Sequence, residues 1–206
     1  MKWYSFYFAM LISLLCFVQQ NKAQEAQYNF VLKENYYTFT GEVYVQAPAN
    51  CLLDYIYRFE YIPQYSAGAK SIDKVEQGKN WYDVTFVYQK LFFIVNESTW
   101  RRTLHKKQQK VVFTMLSNQS NLSLIPKVIS SSGYYQIIPD TTGCHVVYFQ
   151  ECTIDSHFLQ DLYIRETKKE AIAFLKEFEV FLKKNCEVKI TNHSQVTDHK
   201  SSVNNH

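Results

Sequence analysis

Five glycines in 206 residues do not gather into a phosphate-cradling loop. No serine, cysteine or histidine stands in a recognisable nucleophile motif, which removes the commonest hydrolase signatures. His193, His199 and His206 fall near the C-terminus without the fixed spacing of a metal site, so neither a metal nor any other cofactor is implied. Charge of one sign is also scarce: 22 Lys and Arg against 19 Asp and Glu leave +3. Phosphate binding needs a concentrated basic face, so nucleic acid is excluded as a partner. The N-terminal apolar run, Trp3 to Val18, is shorter than the ~20 residues of a comfortable transmembrane helix. With Lys2 before it and Gln19 to Ala23 after it, that run fits a signal segment over 1–23, cleaved after Ala23; an uncleaved anchor is the alternative. Cys16 follows Leu14-Leu15 rather than a small residue, which argues against a lipid-modified cysteine. The expected product is soluble, secreted or periplasmic, and loss of Lys2 and Lys22 lowers its formal charge from +3 to +1.

What the chain has in quantity is aromatic surface: 16 Tyr and 15 Phe within a 17% aromatic share. That is more than a minimal core requires and suits either a lined cavity or a plain β-protein. Residues 24–36 read as a polar leader that could cover a sheet edge, 37–186 as one domain, and 187–206 as a disordered tail of Asn, His, Ser and Lys. Tyr37 to Gln46 alternates as a strand. Pro48 then suits the first turn of a helix carrying Leu52, Leu53, Ile56 and Phe59 at helical spacing; Pro63 halts it and Ser66-Ala67-Gly68 releases the chain. Strands follow at Ala69 to Glu76, Asn80 to Tyr88, Leu91 to His105, Lys110 to Leu116, Val128 to Ile138 and Cys144 to Asp155. Their short connections require antiparallel pairing. Ser117 to Ser123 reads as a polar loop. After a looser turn from Phe158 to Arg165, Thr167 and Glu170 offer a capping box for a helix with Ala171, Phe174, Leu175, Phe178, Phe181 and Leu182 on one face.

Strand, Ala47-Pro48-Ala49-Asn50, helix, Tyr61-Ile62-Pro63-Gln64-Tyr65, six antiparallel strands and a long final helix resemble the START-like or SRPBCC superfamily, which includes polyketide cyclase-like and coenzyme Q-binding-like proteins. The resemblance covers about Phe39 to Lys184. Tyr65 stands where many members carry Trp, and the hairpin Tyr134 to Pro139 with Gly143 to Tyr148 looks like the superfamily's last strand pair. It implies an α+β helix-grip fold: a curved, antiparallel, seven-stranded sheet wrapped round the C-terminal helix, with two short helices after the first strand. The functions it implies are mostly binding or transport of lipids, sterols, quinones and polyketides, with some cyclases and hydrolases.

Within that fold, strand parity turns Tyr82, Val84, Phe86 and Tyr88 toward a cavity, with Phe92, Ile94, Trp100, Arg102 and Leu104, Val111, Phe113 and Met115, and Val146, Tyr148, Gln150 and Ile154. Leu175 and Phe178 join them from the helix. The alternative is that these side chains fill the space themselves. Candidate ligand contacts are Tyr82, Phe86, Tyr88, Trp100, Arg102, Phe113, Met115, Tyr148, Leu175 and Phe178, while no catalytic residue is named. His145, Glu151 and Asp155 have the opposite parity and face solvent, and Asp155 and His157 suit a turn or cap. Arg102 could meet a ligand carboxylate or pair with a neighbouring acid. The basic cluster Arg101-Arg102, His105-Lys106-Lys107 and Lys110 is a solvated hairpin or a transient contact for anionic headgroups. The resemblance implies a disulfide between Cys51 and Cys186, or second Cys144 and Cys186, with Cys152 unpaired. Asn96, Asn118, Asn121 and Asn192 begin glycosylation triplets. The expected role is an exported carrier for a hydrophobic small molecule or lipid; a cyclase or hydratase in the same cavity, or an interaction protein with a filled core, are the alternatives.

Overall fold

The structure, a computed structural model, describes residues 26–66, 68–90, 94–121, 126–155 and 158–198, without side chains at 90, 94 and 187–198. The expected signal segment, Phe92, His157 and residues 199–206 of the expected tail lie outside the described residues.

The element order is β1 (Gln27–Lys33), β2 (Tyr36–Val45), α1 (Ala49–Tyr57), a 3-10 turn Phe59–Tyr61, α2 (Ile62–Tyr65), β3 (Ala69–Gln77), β4 (Trp81–Lys90), β5 (Ile94–His105), a 3-10 turn Lys106–Gln108, β6 (Lys110–Ser120), β7 (Val128–Pro139), β8 (Cys144–Ile154) and α3 (Gln160–Asp198). Eight strands form one antiparallel sheet in the order β1-β2-β8-β7-β6-β5-β4-β3. The strand beyond the seven read from sequence is β1. Its side chains are exposed except half-buried Phe30, so it carries no alternation to detect; pairing with β2, from Gln27 opposite Glu42 to Lys33 opposite Tyr36, is what makes it a strand.

Other boundaries shift for local reasons. Arg58 turns extended (φ −67°, ψ 132°), so α1 ends before Phe59, and Pro63 lies in the first turn of α2 instead of ending α1. A first-turn proline loses no helical hydrogen bond. The sequence Ser117 to Ser120, read as loop, continues β6 and pairs with β5. The closing helix begins at Gln160, so Thr167 and Glu170 lie inside it rather than at a cap; the helix runs on to Asp198, past the Cys186 limit expected for the domain.

Strand β2 shows how pattern becomes packing. Tyr37, Phe39, Gly41, Val43 and Val45 are buried, and the residues alternating with them are half-buried. Gly41 lies at the centre of that inner face, and an added Cβ would stand 2.6 Å and 2.7 Å from the two Leu175 methyls of α3. Glycine therefore lets the helix rest directly on the strand. Side chains from β2, β4, β6, β7 and β8 meet Leu175, Phe178, Phe181 and Leu182 of α3 in one core cluster, which requires the sheet to curl round the helix. Full burial of each large apolar side chain contributes about 1.5–3 kcal/mol. A smaller cluster of Tyr37, Cys152, Ile154 and Ile164 holds the beginning of α3.

Candidate functional site

Arg102 is 4% exposed, on the inner face of β5. Its guanidinium donates to the Ile56 carbonyl at 2.7 Å and to the Tyr65 hydroxyl at 3.2 Å, and lies 5.3 Å from the centre of the Tyr135 ring. Tyr65 also donates to the Ile56 carbonyl, at 3.0 Å, and Tyr82 donates to the Tyr57 carbonyl. These groups close the C-terminal end of α1, whose last carbonyls have no intrahelical partner and carry the negative end of the helix dipole. Burial pushes the Tyr65, Tyr82 and Tyr135 hydroxyls above the ordinary tyrosine range, although the Arg102 charge pulls each back. They are therefore neutral hydrogen-bonding groups at physiological pH. Burial works against the Arg102 charge, and its pKa stands above the usual guanidinium range because Tyr65, Tyr82 and Tyr135, charged only at high pH, would then lie beside it; at physiological pH it is a cation among neutral partners.

Beside this cluster lies a cavity of about 560 Å³ between the sheet and α3. Phe86, Tyr88, Trp100, Phe113, Tyr135, Tyr148 and Phe174 line it, with Arg102, Asn96, Ser98, Asn118, Ser131 and Gln150 as polar members. Tyr148 donates to Gln150 at 2.7 Å, Gln150 to Ser131 at 3.0 Å, and Ser131 to the Glu151 carbonyl at 2.7 Å, so these groups form one satisfied chain. Among the described residues, two buried side-chain polar atoms are without a hydrogen-bond partner, Asn96 Oδ1 and Arg102 Nε, and both residues line the cavity. Burial also drives Tyr148 well above its ordinary pKa and Tyr88 up to about 12. Glu170 and Glu177 stand on exposed positions of α3 at the edge.

The sheet is split beside the cavity. Pairing of β6 with β7 spans only Lys110 opposite Gln136 to Thr114 opposite Ser132. Past that point each strand carries one extra residue, Leu116 in β6 and Ile129 in β7, both exposed. A bulge inverts which neighbours face inward, and for this reason Asn118 rather than Ser117 reaches the cavity. A second depression of about 420 Å³ occupies the split and shares Met115, Asn118, Val128, Ser131 and Cys152 with the cavity.

No established sequence family matches this chain, and no curated protein sequence does. Solved structures do match. The di-domain ARO/CYC protein StfQ of the steffimycin biosynthetic pathway is 13% identical with a TM-score of 0.63, over 77% of this chain and 53% of that one. A STAR-related lipid transfer protein of Xanthomonas axonopodis is 13% identical with a TM-score of 0.59, over 79% and 96%. Norcoclaurine synthase of Thalictrum flavum is 14% identical with a TM-score of 0.50, over 73% and 87%. The chain has the START-like helix-grip fold. Identity at this level speaks to the fold and not to the chemistry.

The helix-grip fold divides the candidate contacts into two groups. Phe86, Tyr88, Trp100, Arg102, Phe113, Met115 and Tyr148 line the cavity. Tyr82, Leu175 and Phe178 lie in the packed core instead: Tyr82 closes α1, Leu175 meets Gly41, and the Phe178 ring lies 5.3 Å from Tyr65 and 5.4 Å from Tyr135. His145 and Glu151 are on the opposite face, bonded to Glu42 at 2.6 Å and to Tyr36 and Ser132. Asp155 accepts the Lys127 amide hydrogen at 2.7 Å, a structural role. The basic cluster is smaller than the sequence implies, because Arg102 is buried and Arg101 forms a two-point pair with Asp83 at 2.8 Å and 2.9 Å while covering the Trp81 ring. Cys51, Cys144, Cys152 and Cys186 are thiols in this structure, so the expected Cys51–Cys186 bond is not formed in it. Cys144 instead donates its thiol to the Ala47 carbonyl at 3.2 Å. Cys51, Cys144 and Cys186 do belong to one core cluster, and Cys152 to the other.

Sequence reading missed Tyr65, Tyr135, Ser131 and Asn118. For Tyr135 a signal existed: Ser131, Gly133, Tyr135 and Ile137 alternate on the inner face of β7, and Tyr135 pairs across from Tyr148. Asn118 depends on a bulge, and Tyr65 on how α2 folds over the sheet; neither has a local signature.

Proposed function

We propose that this protein is an exported carrier or sequestering protein that holds a hydrophobic small molecule or lipid between its sheet and C-terminal helix. The observation that carries the reading is the cavity of about 560 Å³, walled largely by aromatic rings, with Arg102 and several uncharged polar side chains among them. That is the usual make-up of a small-molecule site. The split between β6 and β7, flanked by exposed Leu116 and Ile129, supports a side entrance for an apolar guest. Similarity in fold to a lipid transfer protein and to a synthase solved with dopamine and hydroxybenzaldehyde agrees with guest binding in this space. The N-terminal run supports secretion or periplasmic export, where an oxidising compartment would favour joining of Cys51 to Cys186. Transient contact with a membrane surface, through His105, Lys106, Lys107 and Lys110, would serve loading.

Native mass spectrometry of protein purified from its own source tests the proposal. A co-purifying apolar molecule, displaced by organic solvent and replaced by an apolar fluorescent probe, is the expected result. Folded protein that carries no guest and takes up no probe would refute it.

A further inference from the structure

We infer that the guest is an amphipathic monocarboxylate whose head group is received at Arg102, an inference that rests on the proposed carrier role. Arg102 is a buried cation with no carboxylate among its partners in the described residues: it meets a carbonyl, tyrosine hydroxyls and a ring face. The nearest acid in sequence that is buried, Asp83, is engaged by Arg101 on the other face of the sheet. A buried guanidinium without a counter-charge is costly, and the cost is relieved when an anion arrives. The α1 C-terminus supplies only about half of a unit charge, so a net positive site remains.

Geometry agrees with the charge. Arg102 lines the cavity, and its Nε hydrogen has no acceptor. The Tyr65, Tyr82 and Tyr148 hydroxyls already donate to the Ile56 and Tyr57 carbonyls and to Gln150, whereas the neutral Tyr135 hydroxyl, on the cavity wall beside Arg102, can donate to a second oxygen of the same head group. One guanidinium suits a monoanion; a dianionic phosphate would need more positive charge than this wall provides. Away from Arg102 the wall is mostly aromatic, Phe86, Trp100, Phe113 and Phe174, and fits an apolar tail. The exposed Glu170 and Glu177 at the edge favour a guest whose charge lies inside rather than at the mouth.

The test compares hexadecanoate, methyl hexadecanoate and hexadecanol by calorimetric titration of delipidated protein at pH 8. Wild-type protein is expected to bind the carboxylate at least about tenfold more tightly than the ester or the alcohol. Arg102→Met should reduce that preference to about twofold or less while retaining hexadecanol binding, and Arg102→Lys should keep more of it than Met does. If the Met variant fails to fold, judged by circular dichroism, the wild-type preference and the Lys variant still decide. Equal binding of all three probes by wild type overturns the anionic head group and leaves the apolar cavity standing. Failure of every probe to bind overturns both.

Discussion

Replacing Gly41 with alanine isolates the contact that lets the sheet grip its helix. Gly41 has no left-handed φ, so alanine is compatible with its backbone and would by itself restrict the unfolded chain favourably. The new methyl, however, would stand 2.6 Å, 2.7 Å and 3.2 Å from Cδ1, Cδ2 and Cγ of Leu175, which is 1% exposed. Overpacking of this kind costs about 1–3 kcal/mol. Leu175→Ala alone removes a buried side chain and costs about 3–5 kcal/mol, transfer and cavity terms together. Combined, the substitutions relieve one another, because the alanine at 41 occupies part of the space that Leu175 vacates. The double variant should be at least about 1 kcal/mol more stable than the sum of the two single effects predicts. Urea unfolding followed by far-ultraviolet circular dichroism measures all four corners of the cycle, and each kcal/mol corresponds to about 2–4 °C in melting temperature for a domain of this size. Strict additivity would refute direct contact between the inner face of β2 and α3 at this position.

Tyr65→Phe keeps the ring between Phe178 and Phe181 but deprives the Ile56 carbonyl of a donor and Arg102 of an acceptor; a loss of about 1–3 kcal/mol in urea unfolding is expected, and no loss would deny the hydroxyl its role in closing α1. Alkaline titration should find Tyr88 and Tyr163 ionising late, since burial raises both to about 12. A raised folded-state pKa means that the stability these groups contribute is fully present below pH ~10 and is lost as pH rises to ~12, at most about 2–3 kcal/mol for each. Ultraviolet difference spectra showing every tyrosine ionised near pH 10 in folded protein would contradict this. For the cysteines, non-reducing peptide mapping of exported protein should join Cys51 to Cys186, with Cys152, which belongs to the separate core cluster, alkylated only after unfolding. Recovery of Cys152 in an intramolecular disulfide would overturn that pairing.

How much could be read beforehand depended on the range of the interaction. β2 was legible because alternation of Tyr37, Phe39, Val43 and Val45 with more polar neighbours is a property of consecutive residues. The apolar face of α3 was legible for the same reason, at a helical period. β1 was not, because an edge strand with only Phe30 half-buried repeats no pattern. Of the ten candidate contacts, seven line the cavity, while Tyr82, Leu175 and Phe178 lie in the packed core, since facing inward does not distinguish the wall of a space from the packing beneath it.

By itself, then, the sequence determined the order of strands and helices from β2 onward, the inner face of most of them and, through that order, the helix-grip fold, because these follow from local periodicity and from short antiparallel connections. Tertiary structure alone decided the site. Tyr65, Arg102 and Tyr135 come from three separate elements and meet only because α1 and α2 close over the curled sheet. The bulges at Leu116 and Ile129 exist only relative to partner strands, and with them come the split in the sheet and the inward turn of Asn118. Whether Arg102 has a counter-charge is likewise a fact about burial and distance, which no spacing along the chain records.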